Sequence, residues 1–207
     1  MANEGVNQGR RRFLTATTAV VGGAGVVAAA VPFIKTWMPS ARAKTAGAPV
    51  TVDISKLEVG QMLTVGGTIP EWRGQPIWII HRSDEQLAAL PAQDARLKDA
   101  KSENEDQQPK YAQNGWRSFS DHKNIMVLVG ICTHLGCSPK FHGELKPEPF
   151  DDQWKGGFFC PCHKSRFDMA GRVYNGVPAP ANLKVPPYKF ADGNTLIIGV
   201  APEGAKA

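Results

Sequence analysis

The sequence predicts a mainly β domain preceded by one membrane-spanning helix, and two observations carry that reading. Short runs rich in β-branched and aromatic residues recur between residues 50 and 200, with Gly and Pro punctuating them. Short strands separated by turn residues are the mark of antiparallel β architecture. Ahead of them, residues 13–34 carry no charge at all. At a rise of about 1.5 Å per residue this stretch reaches roughly 33 Å, enough to cross a hydrocarbon core of about 30 Å.

The N-terminal elements follow in order. Residues 1–12 end in Arg10-Arg11-Arg12, and Phe13-Leu14 completes a twin-arginine export pattern. Arginines on that side of an apolar stretch hold it in the cytoplasm, so residues 13–38 are expected to anchor the chain in the inner membrane of a bacterium. The remainder is then periplasmic. Ala41-Arg42-Ala43 has the form of a signal-peptidase site, so a cleaved leader is the competing reading; the apolar run exceeds the usual 7–15-residue signal core, which favours an anchor. Residues 39–49 are small and polar without periodicity and read as a flexible linker. Residues 50–207 form the exported domain.

Within that domain, strands are expected at 50–54, 62–65, 77–81, 125–131, 157–160, 172–174, 184–190 and 195–200. One stretch differs. Ser83-Asp84-Glu85-Gln86 has the form of a capping box and opens a short helix, which Pro91 interrupts. The polar residues 99–108 read as a solvated loop.

Charge narrows the partners. The net charge of +5 resides wholly in residues 1–44, where six Lys/Arg face Glu4 alone. Over the rest of the chain, basic and acidic residues cancel. The folded part therefore has no basic footprint for nucleic acid.

All four cysteines fall in two segments, Cys132-Thr133-His134-Leu135-Gly136-Cys137 and Cys160-Pro161-Cys162-His163. Each offers one cysteine and one histidine at ligand spacing, with a second cysteine over. Two thiolates and two imidazoles suit a mixed-ligand 2Fe–2S cluster. A tetrahedral zinc site takes the same ligand types, and two plain disulfides would use every cysteine. Zinc leaves the two extra cysteines unexplained, and disulfides leave the two histidines idle.

Cys-Thr-His-Leu-Gly-Cys, Cys-Pro-Cys-His-x-Ser and the Pro178-Ala179-Pro180 loop together resemble the Rieske iron–sulfur subunits of cytochrome bc complexes, over nearly the whole chain. The resemblance implies an antiparallel β sandwich with a small cluster-binding subdomain over about residues 130–180. It implies one 2Fe–2S cluster per chain, held by Cys132, His134, Cys160 and His163, an assignment that also suits the reach of each segment. Cys137 would then pair with Cys162 as a disulfide, which an oxidising compartment preserves.

The implied partners are cytochrome b, a c-type cytochrome and a quinol bound at the cytochrome b interface, within a dimeric complex. His163 is the implied quinol contact and proton acceptor, active only within that complex. Ser165 matches the serine whose hydroxyl bonds a cluster sulfur. Many relatives place a tyrosine two residues later, where this chain has Phe167, so a lower potential is expected here. Lys164 stands where glycine is usual. The loop 176–180 is expected to cover the cluster. The nearest alternative is the small Rieske subunit of an arsenite oxidase, which shares the export signal and the disulfide. His81, His122 and His142 lack partners at ligand spacing and read as surface or strand-end residues.

Overall fold

The structure, a computed structural model, describes residues 5, 7–63 and 67–202, with the backbone alone at residues 42, 44 and 46. The chain divides into two compact units, Met1–Thr45 and Ala46–Ala207.

In the first unit, α1 spans Gln8–Thr36, and its best 18-residue window has a mean hydropathy of 1.8. The Asn7 side chain caps it, accepting from the amides of Gly9 and Arg10 at 3.0 and 3.2 Å. No residue of α1 is buried. By length and composition this helix is able to cross a membrane. The twin arginines lie inside its first turns. A second short helix, α2 (Ala41–Ala46), occupies part of the stretch expected to be irregular. Its alanines are strong helix formers, and the Ser40 hydroxyl accepts from the Ala43 amide at 3.1 Å.

The second unit is built from three antiparallel sheets of three strands each. The strands are β1 (Val50–Asp53), β2 (Glu71–Trp72), β3 (Gln75–His81), β4 (Ile125–Val129), β5 (Lys140–His142), β6 (Gly157–Phe159), β7 (Arg166–Asp168), β8 (Tyr188–Asp192) and β9 (Thr195–Ile198). The sheet orders are β1-β9-β8, β2-β3-β4 and β5-β6-β7. Trp78 of β3 lies opposite Leu128 of β4 and stacks on Phe158 of β6 at 4.9 Å between ring centroids. Val52, Leu196 and Tyr188 of the first sheet belong to the same core. Every residue of β4 is buried, so the strand that leads into the first cysteine segment is held on both faces.

Several expected strands differ in extent. Pro186 and Pro187 lack the N–H that a ladder needs, so the strand foreseen from residue 184 begins only at Tyr188. Residues 172–174 form no strand; Val173 and Tyr174 make single bridges to Phe167 and Leu97 instead. Met62 bridges Ile80, while residues 64–65 of that run lie outside the described residues. The two- and three-residue strands β2, β5 and β7 are too short to register as hydrophobic runs.

The excursion after β3 opens as expected. Ser83 and Gln86 form a reciprocal capping box on α3 (Asp84–Ala89), and Pro91 starts a 3₁₀ turn. Residues 99–108 are solvated only in part, with Lys101 and residues 103–106 exposed. Ser102 and Gln108 are buried, and Gln108 Nε2 donates to the carbonyls of Ser102 and Asn104. The Gln108 side chain serves backbone groups, while Ser102 Oγ is buried without a hydrogen-bond partner among the described residues.

Three fully buried arginines fasten this excursion to the turn after β7. Arg82 donates to the carbonyls of Trp116 and Met169. Arg117 donates to Gln107, Ala170 and Gly171 carbonyls. Arg172 pairs with Asp168 and Asp94 at 2.8 Å each. Burial pulls the Arg82 guanidinium down to about 10 and that of Arg117 to about 9, with Asp168 opposing in both cases. Both stay charged at neutral pH.

Candidate metal centre

Two loops at neighbouring strand ends carry the cysteine segments, and they close by the same hydrogen-bond scheme. In the loop after β4, the Cys132 amide donates to the Cys137 carbonyl at 2.7 Å, and the Gly136 amide returns to the Cys132 carbonyl at 3.1 Å. In the loop after β6, the Cys160 amide donates to the Ser165 carbonyl at 2.8 Å, and the Lys164 amide returns to the Cys160 carbonyl at 2.9 Å. Closure by this scheme puts the fourth residue after each cysteine in the left-handed region. That residue is Gly136 (φ 82°) in one loop and Lys164 (φ 61°) in the other. Entry to the first loop is fixed by Gly130, where a Cβ would come within 2.4 Å of the Trp78 ring.

The Cys137–Cys162 disulfide joins the loops across 25 positions of sequence. Cys132 and Cys160 remain free thiols and are buried. The sulfurs of Cys137, Cys160 and Cys162 lie within 4.8 Å of one another. Two of these are already bonded to each other, so Cys160 alone of the three can act as a thiolate donor. His134 and His163 meet edge to face, with ring centroids 4.7 Å apart and planes perpendicular.

The donor set fits a two-thiolate, two-imidazole cluster. His134 Nδ1 is buried with no hydrogen-bond partner among the described residues, a costly state for a ring nitrogen unless a ligand completes it. Two buried thiols stay reduced beside a formed disulfide. Burial pushes the Cys132 thiol up; the His134 amide lowers it, the Cys160 sulfur raises it further, and the Ser165 hydroxyl lowers it again. A metal that binds there must displace the thiol proton.

Residues 176–181 are hydrogen-bonded to both loops. The Ala179 amide donates to Ser165 Oγ at 3.0 Å, and Thr133 Oγ1 donates to the Ala181 carbonyl at 2.6 Å. Ala179 and Ser165 are fully buried. Phe167 is fully buried in β7 and offers no hydroxyl. All seven expected site residues thus fall on two linked loops. The sequence reading missed Thr133 as a fastener, because its partner lies 48 positions away.

The remaining histidines make contacts elsewhere in the fold. His81 bonds Leu57 and Asn124, His122 stacks on Phe190, and His142 sits 3.4 Å from Glu148.

A family model described as "Rieske [2Fe-2S] domain" matches residues 92–188. A second, "Ubiquitinol-cytochrome C reductase Fe-S subunit TAT signal", matches residues 1–40. The ubiquinol-cytochrome c reductase iron-sulfur subunit of Allochromatium vinosum is 51% identical over 96% of this chain and 92% of its own length. The proteins of the same name from Blastochloris viridis and Rhodospirillum rubrum are 41% and 39% identical, over 92% and 94% of this chain and 92% and 94% of theirs. Matched over 96% of its length by a relative 51% identical to it, this chain belongs to the family of ubiquinol-cytochrome c reductase iron-sulfur subunits.

Proposed function

We propose that the chain is the electron-transfer subunit of a quinol–cytochrome c oxidoreductase, with Cys132 and Cys160 holding one iron of a 2Fe–2S cluster and His134 and His163 the other. The observation that supports this most is the pairing of two buried free thiols with a buried, unpartnered His134 Nδ1, on loops tied by one disulfide. Bound there, the cluster supplies a one-electron site, and Rieske centres as a class span roughly −150 to +300 mV.

The protein's own groups tune that site. Neutral imidazoles in place of two thiolates leave the ligand set less anionic, which favours the reduced state. The Ser165 hydroxyl, whose oxygen already accepts from Ala179, keeps its proton to donate toward a sulfur. His163 is exposed, so the ring nitrogen left off the iron can meet a quinol and take its proton. Val177 belongs to the apolar core, and Ile131 packs against it at the entry to the first loop.

In the same reading, residues 13–38 anchor the chain with residues 1–12 in the cytoplasm, and residues 39–49 act as a hinge. The domain of residues 50–207 is periplasmic, with its cluster-binding part at about 130–180. It takes an electron at a quinol site shared with cytochrome b and delivers it to a c-type cytochrome within a dimeric complex. The arsenite-oxidase alternative is not favoured, given the names and coverage of the relatives.

Low-temperature electron paramagnetic resonance on reduced membranes tests the proposal. A rhombic mixed-ligand signal that changes when a quinol-site inhibitor is added is expected. A signal indifferent to the inhibitor would point to the arsenite-oxidase class, and zinc with no signal would end the redox reading.

A further inference from the structure

Lys98 lies in the excursion after β3, outside both cysteine loops, yet it reaches the third loop of the site. Its Nζ donates to the Val177 carbonyl at 2.8 Å and to the Ala179 carbonyl at 2.7 Å. No carboxylate lies within ion-pair distance of it among the described residues. Its delivery is set by the backbone. The Lys98 amide donates to the Val173 carbonyl at 2.9 Å, and the Asn175 amide donates to the Arg96 carbonyl at 2.7 Å. On the far side of the loop, the Asn182 side chain accepts from the Val173 amide and donates to the Asp99 carbonyl.

The two carbonyls that Lys98 holds belong to the peptide groups on either side of the Pro178–Ala179 peptide. Pro178 and Pro180 have no N–H, so the Ala179 amide is the one donor in that tripeptide, and it meets Ser165 Oγ at 3.0 Å. With its oxygen occupied, the Ser165 hydroxyl is left with its proton free for a sulfur. Fixing both flanking carbonyls fixes the direction of the amide between them, and a charge-assisted donor does this more firmly than a neutral one.

We infer that Lys98 is a positioning residue for the reduction potential: it sets the Ala179–Ser165 hydrogen bond and, through it, the donor that Ser165 offers the cluster. This rests on the reading that Ser165 donates to a cluster sulfur.

The test is a double-mutant cycle in the full chain within its complex, read as midpoint potential by spectroscopically monitored redox titration. Lys98→Met should lower the potential, Lys98→Arg should restore most of it, and Lys98→Met added to Ser165→Ala should lower it little further. If Lys98→Met loses its cluster signal, Lys98→Gln takes its place in the cycle, keeping a donor without the charge. An equal fall with and without Ser165 would overturn the inference, because the charge would then act directly through space. No fall with Lys98→Met, while Ser165→Ala lowers the potential, would overturn it and leave the Ser165 reading intact. No fall with Ser165→Ala would overturn the Ser165 reading itself.

Discussion

The two ligand loops share one backbone scheme and differ in what they place on it. Both close from a cysteine amide to the carbonyl five residues on, with a return bond four residues along. The first loop uses Gly136 in the left-handed position and holds His134 half-buried, with Nδ1 shut inside. The second uses Lys164 there and leaves His163 exposed. Equal scaffolding with unequal exposure separates two tasks. In the proposed reading, one histidine would hold the metal behind protein and the other at an exposed surface.

The sharpest way to break that comparison is to remove one thiol from each loop. Cys132→Ser and Cys160→Ser are each expected to abolish the cluster signal entirely, since neither loop holds a spare free sulfur. A mutant that kept a full signal would show that the loops are not equivalent donors. Next in size is the tie between them. Cys137→Ser or Cys162→Ser should cost about 3–4 kcal/mol of unfolding stability in the chain-entropy account, with loss of the cluster or a lower potential. Unchanged melting and potential would reduce the disulfide to an ornament.

The left-handed positions give a smaller and opposite pair. Gly136→Ala meets nothing within 4 Å, so its cost is backbone strain alone, about 1–2 kcal/mol. Lys164→Gly relieves the same strain but gains at most about 1 kcal/mol, because glycine loses more entropy on folding. Thermal unfolding of the two variants should move in opposite directions; shifts of the same sign would disprove the shared scheme. Smallest is Phe167→Tyr, which adds a hydroxyl to a fully buried ring and should raise the midpoint potential modestly. A fall, or no change, would show that the new hydroxyl does not reach the cluster.

Much of this site was legible because its chemistry is local in sequence. Cysteine and histidine spacing marked both loops, and the uncharged run marked α1. Capping residues at Ser83 and Gln86 marked the excursion's helix. What sequence could not show was how distant polar side chains are consumed. Residues 99–108 look solvated by composition, yet Ser102 and Gln108 turn inward, and Arg82, Arg117 and Arg172 are spent on carbonyls far along the chain. Composition records polarity, and only the fold records which backbone group receives it. The short strands β5 and β7 escaped for a related reason, since three residues carry too little alternation to be read.

Lys164 carries one more consequence. It is an exposed lysine on a loop, the kind of place where trypsin usually cuts. A protease, however, must draw its substrate into an extended line, and this residue is wound left-handed with its amide tied to Cys160. The bond after Lys164 should therefore resist digestion while the loop is closed and yield once the Cys137–Cys162 bridge is reduced, so that a single proteolytic cut reports whether the metal-binding face is intact.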